Sequence, residues 1–140
     1  MIRYVDTVEG VMPEHLNGFF VGWPEPPSPE THLDILRGSY HVVLAVDDET
    51  GSVVGFINAI SDGILAAYLP LLEVLPDYRG RGIGRELVER MMSALDGFYM
   101  VDLLCDPEME RFYSRFGMKP GCAMMLRRYD RQSGVPQEER

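Results

Sequence analysis

Nowhere in the 140 residues do apolar side chains run for the roughly 18 positions that a membrane span needs. The start, MIRYVDTVEG, lacks the basic-then-apolar order of a secretory leader. A soluble, cytoplasmic protein with no membrane partner is therefore expected. Cysteine is scarce: Cys105 and Cys122 stand apart without a CxxC spacing, so neither a zinc site nor a redox pair is suggested, and buried free thiols are expected. The three histidines, His15, His32 and His41, never take the HExxH spacing that sets two ligands on one helix face, so no metal is expected. Repeats, heptads and low-complexity blocks are absent too. Basic residues are outnumbered, 13 against 22 acids, and a net charge of −9 argues against a nucleic-acid partner, because such binding requires Lys and Arg to neutralise phosphates.

What is there describes one ordinary domain. The chain is 46% hydrophobic and 25% charged, and at this length a fold buries about 70% of the surface its unfolded chain exposes, enough to hold without staples. A single domain over residues 1–130, with a polar, frayed tail over 131–140, is the expected organisation. Charge is unevenly spread. Residues 1–75 hold eleven acids against only Arg3 and Arg37, whereas residues 76–140 hold eleven of each sign. The first half suits a cationic partner and the second has arginines that could meet an anion.

Along the chain, Ile2 to Val5 reads as a strand and Pro13 to Phe20 as a short helix opened by proline. GWPEPPSPE, residues 22–30, has too many prolines for either. A helix follows from Pro29 to Arg37, stopped by Gly38. Residues 40–47 and 52–61 read as strands joined through DDETGS, and Asp62-Gly63 turns the chain into a third strand from Ile64 to Val74. From Gly82 to Leu95, apolar residues at Ile83, Leu87, Val88, Met91, Met92 and Leu95 mark one helix face, with Gly97 as its stop. Phe98 to Cys105 reads as a strand, Pro107 to Phe116 as a helix and residues 122–128 as a last strand. The expected class is α+β (mixed α/β), a mostly antiparallel central sheet flanked by helices.

The strongest local signal is VLPDYRGRGIG, residues 74–84, between an apolar strand and an amphipathic helix. Glycines and arginines at a helix start let backbone N–H groups approach an anion, and the helix dipole adds attraction. A phosphate cradle is the physical reading. Two dinucleotide and nucleotide patterns are excluded, since GxGxxG needs glycine where Arg85 stands and the Walker pattern needs Gly-Lys-Ser/Thr.

RGRGIG resembles the Arg/Gln-x-x-Gly-x-Gly/Ala signature of the GNAT superfamily of acyl-CoA-dependent N-acyltransferases, through Arg79, Gly82 and Gly84, and Val74-x-Pro76 before it is similar as well. FYSRFGMKP, residues 112–120, resembles that family's later aromatic-Tyr-x-x-x-Gly-Phe segment, with Met118 in place of the aromatic. The strand and helix order matches from about residue 2 to residue 128.

The resemblance implies a GNAT-like sheet and acetyl-CoA, or a related acyl-CoA, as cosubstrate. Backbone groups of Leu72 to Val74 would then pair with the pantetheine amides. Amides of Gly80, Arg81, Gly82, Ile83, Gly84 and Arg85 would hold the pyrophosphate, with Arg79 or Arg81 adding charge. Asp106 stands where many relatives carry an asparagine that contacts the cofactor arm. The reaction implied is direct attack of an amine on the thioester, without a covalent enzyme intermediate. Tyr113 is the expected general acid, because a leaving thiolate needs a proton or a strong hydrogen bond. Glu73, an acid in an apolar strand, is the expected base. Phe20, Trp23 and Tyr68 are expected on the acceptor side, where aromatic faces can stack on a ligand or cation. The acceptor is expected to be a primary amine of a small cationic metabolite, a polyamine or amino sugar among the options. The alternatives are a protein lysine or N-terminus as acceptor, and a non-catalytic acyl-CoA-binding domain. An open sheet edge leaves a homodimer possible.

Overall fold

The computed structural model describes residues 1–135. Six strands, β1 (Ile2–Val5), β2 (His41–Asp47), β3 (Val53–Ser61), β4 (Ala66–Tyr68), β5 (Leu72–Val74) and β6 (Met100–Asp102), form one sheet in the order β1-β2-β3-β4-β6, with β5 also paired to β3. All pairings are antiparallel except β4 with β6, which is parallel.

Alternation along β2 and β3 builds a core on each face. Val42, Leu44, Val46, Val53 and Phe56 pack with Leu16, Phe19, Phe20 and the helix α1 (Pro29–Arg37). Val43, Ala45, Val54, Ile57 and Ala59 pack with Ile83, Leu87, Val88 and Met91, the apolar face of α2 (Ile83–Ala94), and with its C-cap Leu95. Ser28 caps α1 by accepting the Thr31 N–H at 3.1 Å. Gly55 is needed for the α2 contact, since a Cβ there would lie 3.2 Å from both Ile83 and Leu87 side chains. The expected α+β class and its two main helices are thus observed.

Four expectations are corrected. Pro13–Phe20 is only a 3-10 turn, Pro13–His15, because Gly18 at φ +91° and Phe20 at φ +64° leave the helical region. The strand expected over Ile64–Val74 is split into β4 and β5 by Leu69-Pro70-Leu71, where proline has no N–H for the ladder. Residues 122–128 form no strand, and Met124, Met125 and Leu126 stay exposed. β6, whose outer edge has no partner among the described residues, is three residues long and too short to hold a seven-residue neighbour. Both cysteines are exposed rather than buried, since each lies in an irregular segment, after β6 and after α3, and outside both cores.

The Phe98–Cys105 strand shortens to β6, and the last helix is a 3-10 turn, Pro107–Met109, continued by α3 (Glu110–Ser114). Gly97 lies beyond the end of α2, which closes at Leu95. Of the expected tail, Gln132 Oε1 accepts the Glu25 N–H at 3.0 Å, while residues 136–140 lie outside the described residues. No described helix is long and apolar enough to cross a membrane.

Candidate active site

The split of the third strand opens the site. β3 changes partner midway: Ile60 and Ser61 pair with β4, and Gly55 to Ile57 pair with β5. Leu69 still donates to the Asp102 carbonyl at 2.9 Å. Beyond that bond the two chains part, and β5 makes no backbone bond to Leu103–Asp106. Asn58, 1% exposed, fills the gap that Pro70 leaves: its Oδ1 accepts the Leu71 N–H at 3.2 Å and its Nδ2 donates to Ser39 Oγ at 3.0 Å.

A cavity of about 380 Å³ occupies this opening. Leu72 and Glu73 line one side, Leu103 to Asp106 and Tyr113 the other, and Phe20, Trp23 and Phe56 the end, with Arg79 at the rim of β5. Sequence-predicted residues from five segments therefore converge. Tyr68 does not join them: it lines a second, larger groove of about 1290 Å³ that shares Leu103, Leu104, Cys105 and Tyr113 with the first. Phe56, Asn58 and Leu103–Cys105 carried no signal of their own, since each reads locally as ordinary strand.

Tyr113 is buried on α3, and its hydroxyl makes no hydrogen bond among the described residues. Burial pushes the phenol up to about 12, the negative charge of a Cys105 thiolate acting in the same direction. The phenol therefore stays protonated through neutral pH and keeps a donor free. The Cys105 thiol is itself pushed up, by partial burial and then by Glu110, Asp106 and Glu108.

Glu73 is engaged. Its Oε1 accepts the Phe20 N–H at 2.8 Å and its Oε2 the Val21 N–H at 3.2 Å. The carboxylate thus holds the segment that carries Phe20 and Trp23, and offsets the strain of Phe20 at positive φ. Each oxygen retains a second lone-pair direction for a ligand.

After β5 the chain makes a 3-10 turn, Pro76–Tyr78, and enters α2 through Gly80 and Gly82, both near φ +80°. A Cβ at either glycine would meet nothing within 4 Å, so the space before these amides is open. The N–H groups of Gly80 to Arg85 find no acceptor among the described residues. Arg79 Nε donates to the Val74 carbonyl at 3.0 Å and Arg81 to the Asp77 carbonyl at 3.2 Å. Neither arginine has an ion-pair partner among the described residues, whereas Arg85 pairs with Glu89 at 2.9 Å. Unpaired N–H groups, a helix start and two free cations meet the requirements of an anion site.

A protein-family model described as acetyltransferase (GNAT) family matches residues 8–118. A crystal structure of a "putative acetyltransferase" from Deinococcus radiodurans R1 is 52% identical, with a TM-score of 0.92 over 96% of this chain and 94% of that one. The GCN5-related N-acetyltransferase 1, chloroplastic, of Arabidopsis thaliana is 25% identical over 79% of this chain and 58% of its own length. AAC(6')-Iy, solved with the bisubstrate analogue CoA-S-monomethyl-acetylneamine, shares the fold at 19% identity, with a TM-score of 0.63 over 91% of this chain and 97% of that one. The chain spans about half the length of the curated relatives it matches.

Proposed function

The chain belongs to the acetyltransferase (GNAT) family, and from that premise we propose that it transfers an acetyl group from acetyl-CoA to the primary amine of a small molecule. The observation that carries this reading is the convergence of Tyr113, Glu73 and the Phe20–Trp23 segment on one cavity beside the glycine turn. Features of the chain support the cofactor: open space and unpaired amides at Gly80 and Gly82 suit its pyrophosphate. The edge of β5 away from β3, where among the described residues the Leu72 backbone groups and the Val74 N–H lack partners and the Val74 carbonyl accepts only from Arg79, suits its pantetheine amides.

When bound, acetyl-CoA supplies a thioester carbonyl, on which the amine forms a C–N bond as the C–S bond breaks. Tyr113, kept protonated by burial, gives its hydroxyl proton to the departing sulfur and regains one from the nitrogen of the new amide. An ammonium must first lose a proton, and Glu73, a carboxylate that lines the cavity beside Phe20 and Trp23, attracts the cation and accepts its proton directly or through water. Phe20, Trp23 and Phe56 supply ring faces for the body of the acceptor. Cys105, held as a thiol by desolvation and then by its acidic neighbours, is a poor nucleophile, which favours direct attack over an acyl-enzyme. Tyr68 lines the adjoining groove, which shares Tyr113 with this cavity, and is placed on the acceptor side only from there.

The first test is the unfolding midpoint with and without millimolar acetyl-CoA, followed by thiol release across a panel of small amines. At a hundredfold excess over Kd the cofactor adds about 2.7 kcal/mol, a rise of several degrees. Tyr113→Phe is expected to lower turnover about tenfold or more while acetyl-CoA affinity stays close to wild type; undiminished turnover removes the acid role.

A further inference from the structure

We propose that Asp47 is a positioning residue for the phosphate-binding turn, acting through the Tyr78 hydroxyl. The inference rests on the acyl-CoA reading above, because the turn it concerns is the one assigned there to the pyrophosphate.

Asp47 ends β2 and is buried, at 8% exposure, far from the turn in sequence. Tyr78 Oη donates to its Oδ2 at 2.6 Å across 31 positions. The aspartate cannot swing to follow the tyrosine, since its Oδ1 accepts the Glu49 N–H at 2.9 Å and its carbonyl accepts from Thr50 and Gly51. It is a fixed post on the β2–β3 turn.

The phosphate-binding turn has few other ties. Leu75, just before it, donates to the Val54 carbonyl at 2.8 Å. The side-chain bonds of Arg79 and Arg81 end on Val74 and Asp77, within the same stretch of chain. Among the described residues, the Tyr78 phenol is the one side chain of residues 76–82 with a hydrogen bond to another part of the fold. Its ring also carries Arg81, whose guanidinium carbon lies 4.9 Å from the centroid. One phenol thus sets both the path of the backbone toward Gly80 and Gly82 and the place of one free cation. Two glycines at positive φ make the segment flexible, and flexibility that must be lost on binding lowers affinity. A carboxylate is an unexpected neighbour for an anion site. Here its two oxygens face a phenol O–H and an amide N–H, and the charge of Arg81, held over the same phenol ring, opposes its own.

The test is calorimetric binding of coenzyme A and of pantetheine, which lacks the phosphates, to the wild-type chain, Tyr78→Phe and Asp47→Asn. Tyr78→Phe keeps the ring under Arg81 and removes only the hydroxyl. It is expected to weaken coenzyme A about tenfold and pantetheine by less than about twofold, since the lost bond is a charge-assisted one that acts on the phosphate half alone. Asp47→Asn removes the charge and leaves one oxygen for two donors, the phenol and the Glu49 N–H, so it is expected to weaken coenzyme A several-fold with pantetheine again little changed; unchanged coenzyme A affinity there overturns the role of Asp47. Unchanged coenzyme A affinity in Tyr78→Phe overturns the inference, as does an equal loss on both probes, which signals general loosening. If the wild-type chain binds neither probe, the acyl-CoA reading falls and this inference with it. Wild-type binding of coenzyme A separates the two failures.

Discussion

His32 makes the chain acid-sensitive in a defined window. The imidazole sits on α1 at 1% exposure, with ring centroids of Phe56, Phe20 and Phe19 at 4.4, 4.9 and 5.3 Å. Neither ring nitrogen has a partner among the described residues. Burial pushes the group down to about 4 from 6.5, so the folded state excludes a proton that the unfolded chain accepts. Stability is therefore complete above pH 6.5 and falls as pH drops toward 4. The loss is about 1.4 kcal/mol per pH unit, or about 2 kcal/mol at pH 5, equivalent to about 6 °C in Tm. Asp47 and Asp62, whose carboxyls are held below their usual 3.8 by hydrogen bonds from Tyr78 and from the Ile64 N–H, lose their contribution only at lower pH. The assay is urea unfolding at pH 7.5, 6 and 5, followed by the fluorescence of Trp23, whose ring lies 4.8 Å from Phe20. His32→Leu, of similar volume, is expected to be at least as stable as wild type at pH 7.5, because two unpaired nitrogens give way to apolar atoms. Its stability difference from wild type should then shift by about 2 kcal/mol in the variant's favour at pH 5. A difference that stays flat with pH refutes the reasoning.

Two further outcomes follow from the glycines. Gly55→Ala puts a methyl 3.2 Å from Ile83 and Leu87 and is expected to destabilise by about 1–3 kcal/mol in chemical denaturation; no loss would mean that α2 is free to shift. Gly82→Val meets no neighbour but forces a β-branched residue to φ +80°, so a loss of about 1–3 kcal/mol is expected. Weaker acetyl-CoA binding by calorimetry should accompany it, and undiminished affinity removes the cradle.

Features that depend on neighbours in sequence were legible in the sequence. The face of α2, the proline and glycine at the two ends of α1, and the glycine–arginine turn are each set within a dozen residues, because helix periodicity, capping and positive φ are local properties. Tyr113 is singled out by the resemblance of its segment, and its place beside Glu73 is a property of the fold. Tertiary structure decided whatever needed a distant partner. Pro70 breaks the third strand, but only its position between β3 and β6 turns that break into a cavity, bridged by Asn58. Glu73 reads as a free acid until the amides of Phe20 and Val21 reach it across more than fifty positions. Tyr68 and Trp23, both aromatic and alike on paper, end in different cavities. Residues 122–128 have the composition of a strand and no edge long enough to pair with. Hydrogen-bond donors and apolar faces are written in the chain; which groups satisfy them is a property of the fold.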